Sequence, residues 1–101
     1  MAFFGENSCK VWVKCDTSVS ASIDDSFNVS SVADRGTGRY TVNFTNAMSN
    51  TNYAAVFGCN GNTTAYSGPE TQNTGSIDTF GSFAGSFNDL QFFNMAIFGD
   101  Q

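Results

Sequence analysis

At 101 residues the chain has the size of one domain with one modest core. Its net charge is −5 and only 13 % of its residues are charged, against roughly 25 % in an average soluble domain. All four basic residues, Lys10, Lys14, Arg35 and Arg39, precede Tyr40, so no basic stripe exists to neutralise phosphates, which argues against nucleic-acid binding and against attachment to an anionic membrane surface.

In chain order, residues 1–8 place Phe3 and Phe4 ahead of Gly5-Glu6-Asn7-Ser8 and read as a docking arm in front of a single β-domain spanning 9–101. Cys9 to Cys15 (CKVWVKC) alternates as a strand, with Val11, Val13 and Cys15 on one face and Lys10, Trp12 and Lys14 on the other. Asp16 to Asp25 is polar and rich in small residues, and predicts a loop passing into a short strand near Ile23. Ser26 to Thr45 carries the strongest signal, a β-hairpin with one apolar face. Pairing Phe27 with Phe44, Val29 with Val42 and Ser31 with Tyr40 brings the apolar side chains together and turns Asn28, Ser30, Thr41 and Asn43 to the opposite side. The connection is then Asp34 to Thr37, with Gly36 free to take positive φ.

Asn46 to Thr51 predicts a turn, and Asn52 to Cys59 a strand apolar on both faces, Tyr53 and Phe57 to one side and Val56 to the other. That pattern fits a buried central strand or a subunit contact. Asn60 to Thr74, which holds the only proline, Pro69, reads as a long surface loop. Ser76 to Phe80 is a short strand, and Gly81 to Phe87 (GSFAGSF) a small repeat carrying Phe83 and Phe87 on a Gly/Ser backbone. Leu90 to Phe98 reads as a last strand, apolar on both faces and ended by Gly99. With no helical period the fold class is all-β, an antiparallel sandwich or barrel-like domain of six or seven strands. Its predicted core is Phe27, Val29, Val42, Phe44, Val56 and Ile97. Eleven of the fifteen aromatic residues are Phe, more than a core this small hides, so a homo-oligomer is predicted to cover part of that surface.

The chemistry sought in the sequence is sparse. Histidine is absent, which removes the usual nucleophilic triads and metalloprotease sites. Glycoside hydrolysis needs only two carboxylates, but the adjacent Asp24 and Asp25 point to opposite faces of a strand and the remaining acids are scattered. The reading is therefore not an enzyme, and no cofactor or metal is expected. Asp16, Asp24, Asp25 and Asp34 offer oxygens that suit Ca²⁺, but in no EF-hand pattern, and solvated carboxylates are the preferred account. Cys9, Cys15 and Cys59 form an odd set without CxxC spacing and read as buried free thiols of a protein assembled in a reducing compartment. The start of the chain lacks a signal-peptide pattern, no run is long and apolar enough to span a bilayer, and the Asn-x-Ser/Thr triplets at Asn28, Asn43 and Asn62 are ascribed to chance. Trp12 is read as a packing residue in preference to a sugar-stacking platform. Asn60, Asn62, Thr64, Tyr66, Glu70, Gln72, Phe83 and Phe87 are the candidate recognition residues, facing glycan hydroxyls or a protein surface, with a merely tolerated surface loop as the equal alternative.

A family resemblance rests on motifs that recur in order: Trp12; Phe27 to Ser31; Gly36 to Gly38; Tyr40 to Phe44; Ala47, Met48, Asn52 and Tyr53; and Ala96 to Gly99. Over roughly residues 9–99 the chain resembles the β-domain at the C-terminal end of many bacteriophage tail fibres. That resemblance implies a virion structural protein, assembled in the host cytoplasm, which acts at a tail fibre or tail tip, contacts other virion proteins and binds the host surface through a glycan or protein. A capsid decoration (cement or head-fibre) protein is the alternative, and a carbohydrate-active enzyme the remote one. The sequence departs from the family in beginning only a few residues before the domain and in its Gly/Phe-rich stretch from Asn60 to Asp89, where any recognition surface is expected.

Overall fold

The computed structural model describes residues 9–17, 21–59, 65–83, 86–87 and 91–101, with the backbone alone for residues 65, 66, 83 and 87; the docking arm expected at 1–8 lies outside the described residues. Among these, nine strands form: β1 (Cys9–Asp16), β2 (Ser22–Phe27), β3 (Val29–Gly36), β4 (Arg39–Phe44), β5 (Ala54–Cys59), β6 (Ala65–Gln72), β7 (Ser76–Phe83), the two-residue β8 (Ser86–Phe87) and β9 (Phe92–Phe98). They make two antiparallel sheets. Sheet A has the order β2-β1-β9-β5, and sheet B the order β3-β4-β7-β6, with β8 paired to the far end of β7.

Alternation decides which side chains meet between the sheets. Sheet A contributes Val11, Val13 and Cys15 from β1 and Phe93, Met95 and Ile97 from β9. Sheet B contributes Tyr40, Val42 and Phe44 from β4 and Ile77 from β7, while Met48 and Tyr53 close one end. Tyr40 stacks on Phe93 across the interior at 5.9 Å between ring centroids, and Phe44 meets Tyr53 edge to face at 6.2 Å. The phenol of Tyr53 donates to the carbonyl of Asn73 at 2.8 Å, which satisfies its one polar group, and burial pushes its pKa up to about 12.

The hairpin register differs from the expected one, and Asn28 is the reason. This residue sits at φ 61, in the left-handed region that asparagine tolerates better than most residues. It breaks the apparent Phe27–Val29 strand in two: Phe27 ends β2 opposite Trp12 in sheet A, and Val29 begins β3 opposite Phe44 in sheet B. The Asn28 amide holds the corner by donating to the carbonyls of Lys10 (3.2 Å) and Asn46 (3.0 Å), and its Oδ1 accepts the Asn46 N–H at 2.7 Å. Shifts in register at Val29/Ser31 and Asp34/Gly36 then bring Val32, not Val29, opposite Val42. The bulge lets Val29 and Val32, three residues apart, both pack against the core. Thr37 and Gly38 form the turn, where Gly38 takes φ 70.

Three further expectations are corrected. β5 is an edge strand of sheet A and not a central one; its Ala55 and Phe57 pack on the core while Val56 is 59 % exposed. β9, by contrast, is central and alternates, with Phe93, Met95 and Ile97 inward. Most of the expected loop at 60–74 is strand β6, which lacks apolar alternation because the ladder to β7 holds it. Pro69 is tolerated because β6 lies at the edge of its sheet, and a register shift follows between Pro69 and Thr71. Of the predicted core, Val42, Phe44 and Ile97 are buried and Val29 is partly so. Phe27 and Val56 are exposed instead, at 54 % and 59 %, because both lie on the outer face of sheet A.

Replacing Asn28 by alanine puts a residue that disfavours the left-handed region into the corner and removes the amide's hydrogen bonds. We expect a loss of about 2–4 kcal/mol from the two effects together, and a smaller loss for Asn28→Gly, which keeps the backbone freedom. Urea unfolding of both variants measures the difference, and equal losses would show that the backbone at this position is unstrained.

Candidate functional site

The outer faces of the two sheets are built in opposite ways. On sheet B, one charged cluster crosses all four main strands. Arg35 from β3 donates through Nη2 to Glu70 Oε1 at 2.7 Å and to the Thr79 carbonyl at 3.1 Å. Arg39 from β4 donates to both oxygens of Glu70, at 3.2 and 3.1 Å. Asp78 from β7 accepts from Thr41 Oγ1 at 2.8 Å and lies 3.9 Å from Arg35 Nε. Glu70 occupies the irregular position of β6 after Pro69, where its carboxylate reaches both guanidinium groups. The hydrogen bonds from Arg35 and Arg39 hold its pKa below the ordinary glutamate value.

On sheet A the outer face carries Lys14 and Asp25 on β1 and β2 and no charged residue on β9 or β5. Register places Phe27 beside Trp12, Trp12 beside Ala96, and Ala96 beside Val56, so one apolar row crosses the whole sheet. Trp12 is 37 % exposed, and with Phe27 and Val56 it makes the row a continuous apolar surface. The next row reads Asp25, Lys14, Asn94 and Gly58, with the Lys14 ammonium 4.4 Å from the centre of the Phe92 ring. Between the rows lies a depression of about 390 Å³ lined by Trp12, Lys14, Val56, Gly58, Asn94 and Ala96. A smaller hollow of about 270 Å³ at the Asn28 corner is lined by Phe27, Asn28, Thr45, Asn46 and Gln101.

Of the residues predicted for recognition, the side chains of Glu70 and Gln72 are among those described. Asn60, Asn62 and Thr64 lie outside the described residues, as do the side chains of Tyr66, Phe83 and Phe87. Glu70 belongs to the arginine cluster. Gln72 donates to the carbonyls of Tyr53 (2.9 Å) and Thr51 (3.4 Å) and so ties β6 to the turn before β5. The apolar row on sheet A is hidden in the sequence because Phe27 and Val56 satisfy the pattern of core residues; the one visible sign is Trp12 on the lysine-bearing face of β1.

Catalytic chemistry finds little to build on among the described residues. No group of three or more His, Cys, Asp or Glu residues is placed there to hold a metal ion. Cys15 is a buried thiol whose pKa burial pushes up to about 11, which keeps it protonated and poorly nucleophilic. All three cysteines are free. Among the described residues no helix is long and apolar enough to cross a membrane. No protein-family model, no curated protein and no solved structure matches the chain.

The Glu70 cluster carries a pH dependence of definite sign. Its folded-state pKa is depressed from 4.5, so the ionised carboxylate contributes stability that is complete above that value and is lost as the pH falls through the lowered one. Chemical unfolding from pH 7 to pH 3 should therefore show a shallower acid decline for Glu70→Gln than for the wild type. At neutral pH we expect that variant to be weaker by roughly 1 kcal/mol, since the pairs are partly exposed. An unchanged acid limb would show that the cluster does not stabilise the fold.

Proposed function

We propose that the chain is a non-enzymatic structural protein of the bacteriophage virion, a homo-oligomeric component of a tail fibre or tail tip that works by binding. The single observation that carries this reading is the apolar row Phe27–Trp12–Ala96–Val56, left open on the outer face of sheet A. An apolar strip that crosses a sheet from edge to edge is costly to leave in water and is what an assembly covers. The low charge of the chain agrees with this, because a protein that lives within an assembly needs little charge to remain dispersed.

The ordered resemblance to tail-fibre domains supports the virion setting, and its motifs fall on structurally informative positions. Phe27 to Ser31 straddles the Asn28 corner, Gly36 to Gly38 makes the turn, and Tyr40 to Phe44 is the inward-facing strand β4. A trimer is the oligomer we expect. A binding role is further supported by the placement of the carboxylates: Asp24 and Asp25 are neighbours on β2, and Glu70 is committed to two arginines. Host recognition through a surface glycan or protein belongs to this proposal as the task of the assembled tip.

The test is quantitative mass spectrometry of purified particles, together with immunogold labelling. A few copies per virion, with label confined to the tail, is the expected result. Copies in the number of icosahedral positions and label over the capsid would overturn the tail assignment in favour of a decoration protein. Absence of the chain from the particle would overturn the virion reading itself. For the recognition role, purified oligomer should adsorb to host cells and block infection, and no competition at saturating dose would dismiss it.

A further inference from the structure

The Asn28 corner also shapes a small polar hollow. Phe27, Asn28, Thr45, Asn46 and Gln101 line its volume of about 270 Å³, and no charged side chain is among them. The backbone beneath it is held in place. Asn28 ties both the N–H and the carbonyl of Asn46 through its carboxamide, Thr45 N–H donates to the Asn28 carbonyl at 3.1 Å, and Gln101 Nε2 donates to the Asn46 carbonyl at 3.3 Å. Both amide hydrogens of Asn28 are thereby spent. The exposed Thr45 hydroxyl and Asn46 carboxamide, by contrast, have no hydrogen-bond partner among the described residues, and Gln101 keeps its Oε1 as an acceptor. Phe27, 54 % exposed, is the one aromatic side chain in the lining.

These groups select a ligand class. An ionic ligand finds no opposite charge in the lining, and the chain's net charge of −5 opposes an anion. A wholly apolar ligand would take water from Thr45, Asn46 and Gln101 without replacing its hydrogen bonds. A pyranose ring satisfies both sides: its axial C–H face lies on an aromatic ring of similar outline, and its hydroxyls exchange hydrogen bonds with hydroxyl and carboxamide groups. The volume lies just below the ~300–1,000 Å³ of sites for drug-sized ligands, which suits a single sugar ring and not a chain. We infer that the Asn28 corner is a subsite for a neutral hexopyranose, with Phe27 as the stacking platform and Thr45, Asn46 and Gln101 as the hydrogen-bonding groups. This rests on the binding role proposed above and gives its glycan branch a place on the molecule. Phe27 is the only member of the apolar row in the lining, so an oligomer that covers Trp12, Ala96 and Val56 does not thereby close the corner.

The test is a titration of the ¹⁵N-labelled full chain with methyl glycosides of glucose, galactose, mannose and N-acetylglucosamine, followed by amide chemical shifts. At least one glycoside is expected to bind with millimolar affinity, as one small open site allows, and to shift the amides of Asn28, Thr45, Asn46 and Gln101. Phe27→Ala removes the platform, and Asn46→Ala keeps the backbone bonds of the corner while removing a free carboxamide. Each is expected to weaken binding by about tenfold and to leave the amide spectrum away from the corner unchanged. N-Acetylneuraminic acid, a charged sugar, and glycerol, a polyol without a ring, should shift none of these amides. Shifts centred elsewhere, an equal response to either control, or full binding by either variant would overturn the assignment, as would no shift at tens of millimolar glycoside. If no glycoside binds an oligomer that still blocks infection, this site is lost and the recognition role stands. Glycoside bound at the corner without any block of infection keeps the site and removes the recognition role.

Discussion

The fold depends on a single corner. At Asn28 the chain leaves one sheet and enters the other, and a left-handed backbone is what permits two consecutive strands to do so with no intervening loop. The side chain of the same residue joins three separated pieces of backbone, its own corner, β1 at Lys10 and the segment after β4 at Asn46. Edge strand β2 is thereby held over edge strand β3, and the two sheets are brought into the alignment in which Tyr40 stacks on Phe93. The corner also decides what faces water. Had residues 26–31 continued as one strand, Phe27 would have joined Val29 on the core side; the turn at Asn28 sends it to the outside, next to Trp12.

From that corner follows a division between the two outer faces. Sheet B satisfies its exposed surface from within, through carboxylates shared among arginines on neighbouring strands. Arg35 reaches across to carbonyls of β4 and β7 as well, so this face is knitted laterally and offers few unused groups. Sheet A makes no comparable use of its central rows. Phe27, Trp12 and Val56 stay exposed on its outer side, while the interior holds one stacked and one edge-to-face ring pair. Among the described residues, the larger exposed apolar surface therefore lies on sheet A.

Much of this is legible in the residues, and what is not has physical causes. β1 and β4 follow from alternation, since Val11 and Val13, and Tyr40 and Val42, each mark an inward face. β9 is legible as a strand but not in its inward face, because Phe92, Ala96 and Phe98 make its outer side apolar too. Alternation tells which side chains share a face but not what that face meets, and for this reason Phe27 and Val56 resemble core residues. The register escapes the pattern because a left-handed asparagine and two bulges change the pairing without changing the alternation. β6 is invisible for a different reason: an edge strand containing Gly68, Pro69 and Glu70 has the composition of a loop, and the hydrogen bonds that make it a strand come from β7. Glu70 and Gln72 look available for recognition because their partners, Arg35 and the carbonyl of Tyr53, lie far away in sequence.

The two middle strands of sheet A are the first and the last of the described strands, with Val13 opposite Met95. Sheet B is made wholly of strands that lie between them. During synthesis sheet B can acquire its pairings as the chain emerges, whereas β1 has only β2 beside it, and β5 has no partner at all in its own sheet, until β9 arrives. The row of Phe27, Trp12, Ala96 and Val56 is therefore incomplete until β9 has emerged and paired with β1 and β5. That ordering in time postpones exposure of the completed apolar row until the domain has closed, a consequence of the connectivity and not of any one side chain.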